Sequence, residues 1–142
     1  MVGDSSLVLQ ITAAGLRSWL LQAAYVDRNP DGPGWLRAGY VTGPRHYPLS
    51  QFNPRVQAVI TFGDCVVATD PSHADAFYRT DPGSKDEARA IGSLTPALSS
   101  CLTQGQKIEL TPVVLRAWLG EALWHAFKDS VPAQQTAAAA GH

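Results

Sequence analysis

Apolar residues recur at helical spacing through most of the chain. Leu16, Trp19, Leu20 and Ala23 fall at i, i+3, i+4 and i+7, one face of a helix predicted from a Thr12 cap to about Val26. The short apolar run Leu7-Val8-Leu9-Gln10-Ile11 before it reads as an extended lead-in. Val56, Val59, Ile60, Gly63, Val66 and Val67 mark a second helix, with Asn53 as cap and Pro54 at the first helical position. Asp70-Pro71 repeats that device before a short third helix carrying Ala74, Phe77 and Tyr78. Ser84-Lys85-Asp86-Glu87 is a capping box opening a fourth helix with Ala88, Ile91, Leu94, Leu98 and Leu102. Pro96 lies inside that helix and predicts a kink or a break, because it removes a backbone donor and crowds the preceding turn. Thr111-Pro112 opens a final helix to about Asp129.

Between the first two helices, residues 27–53 carry Pro30, Pro33, Pro44 and Pro48 with Gly32, Gly34, Gly39 and Gly43, which forbids a long helix. Tyr40-Val41-Thr42 is the one place there for a short strand. The expected fold is therefore all-α: about five helices around one core, with a long irregular loop over 27–53. A single domain spans residues 7–131, and residues 1–6 and 132–142 are expected to be disordered or expression-derived.

One helix is written twice. Thr12-Ala-Ala-Gly-Leu16-Arg17-Ser-Trp19-Leu20-Leu-Gln-Ala23 aligns without gaps on Thr111-Pro-Val-Val-Leu115-Arg116-Ala-Trp118-Leu119-Gly-Glu-Ala122. The match predicts two equivalent helices at opposite ends of the chain, packed as pseudo-symmetric partners with Trp19 and Trp118 in one core. Exchange of the two copies between chains would give a homodimer. Arg17 and Arg116, beside the apolar stripe, are expected to pair with carboxylates such as Asp64 or Glu121.

Composition narrows the function more than the fold. The chain has 142 residues and a net charge of −1, so no basic face is demanded and nucleic acid is not an expected partner. No run reaches the ~18 apolar residues that a membrane span needs. Cys65 and Cys101 are the two cysteines and form no Cys-x-x-Cys pair, which leaves two buried thiols or one disulfide. A disulfide would join the second helix to the end of the fourth. A charged fraction of 16%, lone cysteines and an alanine-rich tail lean towards a periplasmic or secreted protein. Met1-Val-Gly-Asp-Ser-Ser has neither the basic start nor the apolar stretch of a leader, which export would therefore have removed.

Several runs resemble a group of small, exported, uncharacterised proteobacterial helical proteins. They are Phe62-Gly-Asp-Cys65-Val-Val, Thr80-Asp-Pro82-Gly83-Ser84-Lys-Asp-Glu87, Leu94-Thr-Pro96-Ala-Leu98-Ser-Ser-Cys101-Leu102 and Leu115-Arg116-Ala-Trp118-Leu119-Gly-Glu121-Ala122-Leu123. The resemblance covers a little under half the chain. It implies a helical fold and a Cys65–Cys101 pair, and no known chemistry.

Candidate chemistry is sparse. Asp27-Arg28-Asn29-Pro30-Asp31-Gly32 matches the first half of a calcium loop, with Asp27, Asn29 and Asp31 as ligands, but Ala38 stands where the bidentate Glu belongs. A plain turn leaving a helix explains the same residues. His46, His73 and His125 form no metal-ligand pair at helical spacing; each could serve a small hydrolase beside a nearby acid. No Gly-x-Ser-x-Gly elbow is present, and Cys65 sits among valines that disfavour a thiolate. Trp19 and Trp118 are expected in the core, with an aromatic wall for an apolar ligand as the minority reading. Trp35, Arg37, Tyr40, Arg45, His46 and Tyr47 mix aromatics with cations, as a recognition surface does, and equally as a loop stapled to its own domain does. Together these features favour a non-enzymatic helical binding module of the cell envelope, recognising a protein partner or a small apolar ligand. No cofactor is required, calcium at residues 27–31 aside.

Overall fold

The computed structural model describes residues 13–37, 49–102, 108 and 110–140, with 13, 14, 37 and 131–140 as backbone only. It is all-helical over these residues. The elements are α1 (Ala13–Arg28), α2 (Gly34–Arg37), α3 (Pro54–Thr69), α4 (Pro71–Tyr78), α5 (Lys85–Cys101) and α6 (Pro112–Ala140), with a 3-10 turn at Leu49–Gln51. The possible strand at Tyr40-Val41-Thr42 lies outside the described residues.

The predicted caps that fall among the described residues form; Thr12, the expected cap of α1, lies outside them. Asn53 Oδ1 accepts from Val56 N (3.0 Å), Asp70 Oδ1 from His73 N (3.2 Å), Ser84 Oγ from Glu87 N (3.1 Å) and Thr111 Oγ1 from Val114 N (3.2 Å). Each satisfies a first-turn N–H that a helix leaves without a partner. Glu87 closes its box one residue early, on the Gly83 N–H (3.0 Å). Pro96 does not break α5, which runs continuously from Lys85 to Cys101. Both Pro96 and Gly92, whose carbonyl it frees, are exposed, so water can take up that carbonyl. The last helix also overruns its expected end near Asp129 and continues to Ala140. Ala137 to Ala140 are the strongest of helix formers.

α6 is the central element, packed on α1, α2, α3 and α4. Its stripe of Leu115, Leu119, Ala122, Leu123 and Ala126 is buried against Val66 and Val67 of α3 and Phe77 and Tyr78 of α4. Each fully buried Leu contributes about 1.5–3 kcal/mol. Two glycines set the approach. A Cβ on Gly63 would lie 3.0 Å from the Trp118 carbonyl oxygen, and one on Gly120 would lie 2.5 Å from the Tyr78 hydroxyl. α3 thus nestles against the α6 backbone, and the Tyr78 ring lies flush on α6. Cys65 and Cys101 are disulfide-bonded with Cα atoms 5.8 Å apart, clamping α3 to the end of α5.

The repeated helix is where expectation and structure part. In α6 the copy is buried: Leu119 is 0% exposed. In α1 the equivalent residues face out: Trp19 is 66% exposed, Leu20 56% and Leu16 41%. The shared Trp core is therefore corrected. α1 is rotated so that Gln22, Tyr25, Val26 and Asn29 face inward. Polar anchors fix that rotation. Tyr25 OH donates to Asp75 Oδ1 (2.7 Å), Trp35 Nε1 donates to Tyr25 OH (3.0 Å) and Gln22 Nε2 donates to the Tyr78 carbonyl (2.9 Å). Arg17 grips Glu121 through Nε (2.7 Å) and a terminal nitrogen (3.1 Å), a pairing the sequence suggested. Breaking buried, hydrogen-bonded polar groups costs more than leaving two leucines partly wet.

Candidate functional site

α1 and the first turns of α6 do not close on each other. Between them lies a groove of about 750 Å³, bounded at one end by the turn into α5. This is within the usual size of a small-molecule site. One wall is Gly15, Ser18, Trp19 and Gln22 of α1. The opposite wall is Val113, Val114, Ala117 and Trp118 of α6, and Pro82, Gly83 and Pro112 complete the rim. Both repeated tryptophans border this one space, Trp19 because α1 is rotated outward and Trp118 because it sits at the edge of the buried stripe. Among the described residues neither indole makes a ring contact with another aromatic. Val113 at the mouth is 77% exposed.

The charged groups lining the groove are Glu87 and Arg116, and they are bonded to each other. A terminal nitrogen of Arg116 donates to Glu87 Oε2 (2.7 Å), and both side chains are buried. The guanidinium also donates to the Tyr78 carbonyl (3.1 Å) and to Thr80 Oγ1 (3.0 Å), and lies over the Phe77 ring at 5.1 Å. Its Nε–H is enclosed with no acceptor among the described residues. The Arg116 hydrogen bond, helped by the Gly83 N–H, holds the Glu87 carboxyl below the usual carboxylate range, against burial, which pushes it up. The repeat assigns Arg116 this role no better than it assigns Arg17: the sequence suggested Asp64 or Glu121 for either, and Glu87 was read only as a cap. The capping box places Glu87 on the first turn of α5, facing α6, and that was the available signal.

The other candidate residues fall elsewhere. Trp35 belongs to the core, 3% exposed and bonded to Tyr25, so its indole is not presented on the surface as expected. Arg37 closes α2 with its side chain undescribed, and Tyr40, Arg45, His46 and Tyr47 lie outside the described residues. The Asp27–Asp31 stretch is a turn closing α1. Asn29 is buried, its amide nitrogen donating to the Tyr25 carbonyl (3.0 Å) and its own carbonyl accepting from Arg79, while Asp27 and Asp31 are exposed. No group of three or more His, Cys, Asp or Glu that could hold a metal ion occurs among the described residues.

Tyr25, Trp35, Asp75 and Arg79 form a second buried polar network, with Arg79 Nε 2.7 Å from Asp75 Oδ2. Burial and the hydrogen bond to Asp75 push the Tyr25 phenol far above its ordinary range, so it stays protonated and acts as a structural strut. His73 Nδ1 pairs with its own cap, Asp70 Oδ2, at 2.7 Å on the exposed start of α4. His125 lies 3.9 Å from Glu121. No helix among the described residues is long and apolar enough to cross a membrane. Compared with known proteins, the chain matches no family model, no curated protein and no solved structure.

Proposed function

We propose that this chain is a non-enzymatic helical binding module of an oxidising compartment of the cell envelope, and that it takes a small apolar ligand in the groove between α1 and α6. The observation that carries the reading is the convergence of Trp19 and Trp118 on one groove of ligand size. A mostly apolar lining with a few placed polar groups is the common make-up of such sites. The Cys65–Cys101 disulfide supports the periplasmic or secreted compartment, since such bonds persist where thiols are not kept reduced.

The test is a thermal-melt screen with small apolar compounds. A compound present at a hundred times its dissociation constant stabilises the fold by about 2.7 kcal/mol. Stabilising compounds should lose their effect in Val113→Asp, which sets a carboxylate at the groove mouth without touching the core. Compounds that stabilise this variant as well as the parent would remove the groove from the account.

A further inference from the structure

The lining of the groove also restricts what it admits, and the following rests on the reading of the groove as a ligand site. We infer that the ligand is an uncharged, flat ring compound with at most one small polar substituent, held between the indoles of Trp19 and Trp118.

Charge decides the first part. Glu87 and Arg116 neutralise each other at 2.7 Å, and both are buried. A charged ligand would enter an apolar site with no free counter-ion, and an unpaired charge there is strongly disfavoured. The first turn of α6 opens on the groove and would ordinarily attract an anion. Here Pro112 has no N–H to offer, and Thr111 Oγ1 already takes that of Val114 at 3.2 Å. What the helix end could give an anion is largely used up.

Shape decides the second part. The indoles come from two different helices, both border the groove, and neither makes a ring contact among the described residues. Pro82 and Pro112 add rigid, flat edges to the rim. Rings gain from stacking on indole beyond the area they bury, whereas a flexible chain does not and loses rotamer freedom on ordering. Ser18 supplies the groove's hydroxyl, enough for one hydroxyl or carbonyl on the guest.

Isothermal titration calorimetry of the full chain with naphthol, naphthalene sulfonate and decanol separates these claims. Naphthol should bind at one site per chain. The sulfonate should bind at least about tenfold more weakly, since its charge finds no partner. Decanol should displace naphthol poorly. Trp19→Ala, at an exposed position, should weaken naphthol at least about fivefold through the lost stacking and area, with circular dichroism unchanged. Val113→Asp should do the same. Sulfonate binding as tight as naphthol overturns the uncharged class, and equal binding of decanol overturns the ring. Either result with sensitivity to Val113→Asp leaves the groove itself standing. Loss of all binding, or tight naphthol binding only after deletion of residues 1–11 or only in a concentration-dependent dimer, overturns the inference, the last two by naming the chain itself as occupant.

Discussion

Replacing Arg116 with Leu leaves the Glu87 carboxylate buried without its cation. Three donor contacts disappear, at 2.7, 3.0 and 3.1 Å, together with the stack on Phe77. Two of the acceptors keep other bonds. The Tyr78 carbonyl retains Gln22, and Thr80 Oγ1 still donates to the Phe77 carbonyl. The stranded charge therefore dominates, and breaking one side of a buried pair costs about 3–5 kcal/mol. With a urea slope of about 1.5 kcal/mol/M, a loss of about 4 kcal/mol lowers the unfolding midpoint by roughly 2.5 M. The double variant Glu87→Leu/Arg116→Leu removes both charges together and should be more stable than either single variant. The pH dependence has a fixed sign. The folded carboxyl of Glu87 titrates below its unfolded value of about 4.3. Its contribution is present in full above that pH and fades as pH falls through the folded value. In Arg116→Leu burial alone pushes the Glu87 carboxyl up, so the gap between parent and variant should begin to narrow on acidification above about pH 4.3 and be smallest once both folded carboxyls are protonated. Urea titrations of the parent and three variants decide the matter. An Arg116→Leu cost under about 1 kcal/mol, or a double variant whose loss equals the sum of the singles, would refute the buried-pair argument.

The repeated helix supplies a matched comparison. Leu119→Ala should cost about 2–5 kcal/mol, and its equivalent Leu20→Ala no more than about 0.5 kcal/mol, by urea unfolding; equal costs would contradict the rotated placement of α1. Gly120→Ala, although helix propensity favours Ala by about 1 kcal/mol, should destabilise by about 1–3 kcal/mol because the Tyr78 ring has nowhere to move; a rise in melting temperature would contradict the close contact. Reducing Cys65–Cys101, which closes a loop of 36 residues, should cost about 4 kcal/mol on the chain-entropy model. The masses of oxidised and reduced chain should differ by two hydrogens, and identical masses would show that the bond had not formed.

The fold was legible wherever short-range chemistry decides. Asn53, Asp70, Ser84 and Thr111 announce the helix starts, because a cap needs only its own side chain and the next turn. The Cys65–Cys101 pair was legible as one of two alternatives. The rotation of α1 was not, because the most apolar face of that helix is not the one it buries. Leu16, Trp19 and Leu20 follow the periodicity rule, yet Tyr25, Gln22 and Asn29 hold the helix through partners 50 or more residues away on α4 and its end, and through Asn29's own turn. One sequence signal did distinguish the copies. α6 has Gly120 where α1 has Leu21, and only the glycine admits the Tyr78 ring. The site was half legible. The repeat singled out both tryptophans but read them as core, with an aromatic wall as the minority alternative, and the pairing of Glu87 with Arg116 across 29 residues depends on how α5 meets α6.

The account stands or falls on Trp19 and Trp118 sharing one binding space while Trp35 stays sealed in the core. A heteronuclear NMR titration with naphthol resolves the indole N–H signals. Those of Trp19 and Trp118 should move together along one saturation curve, with Trp35, bonded to Tyr25 at 3.0 Å, unmoved. Movement of Trp35 alone, or of Trp19 without Trp118, would contradict it.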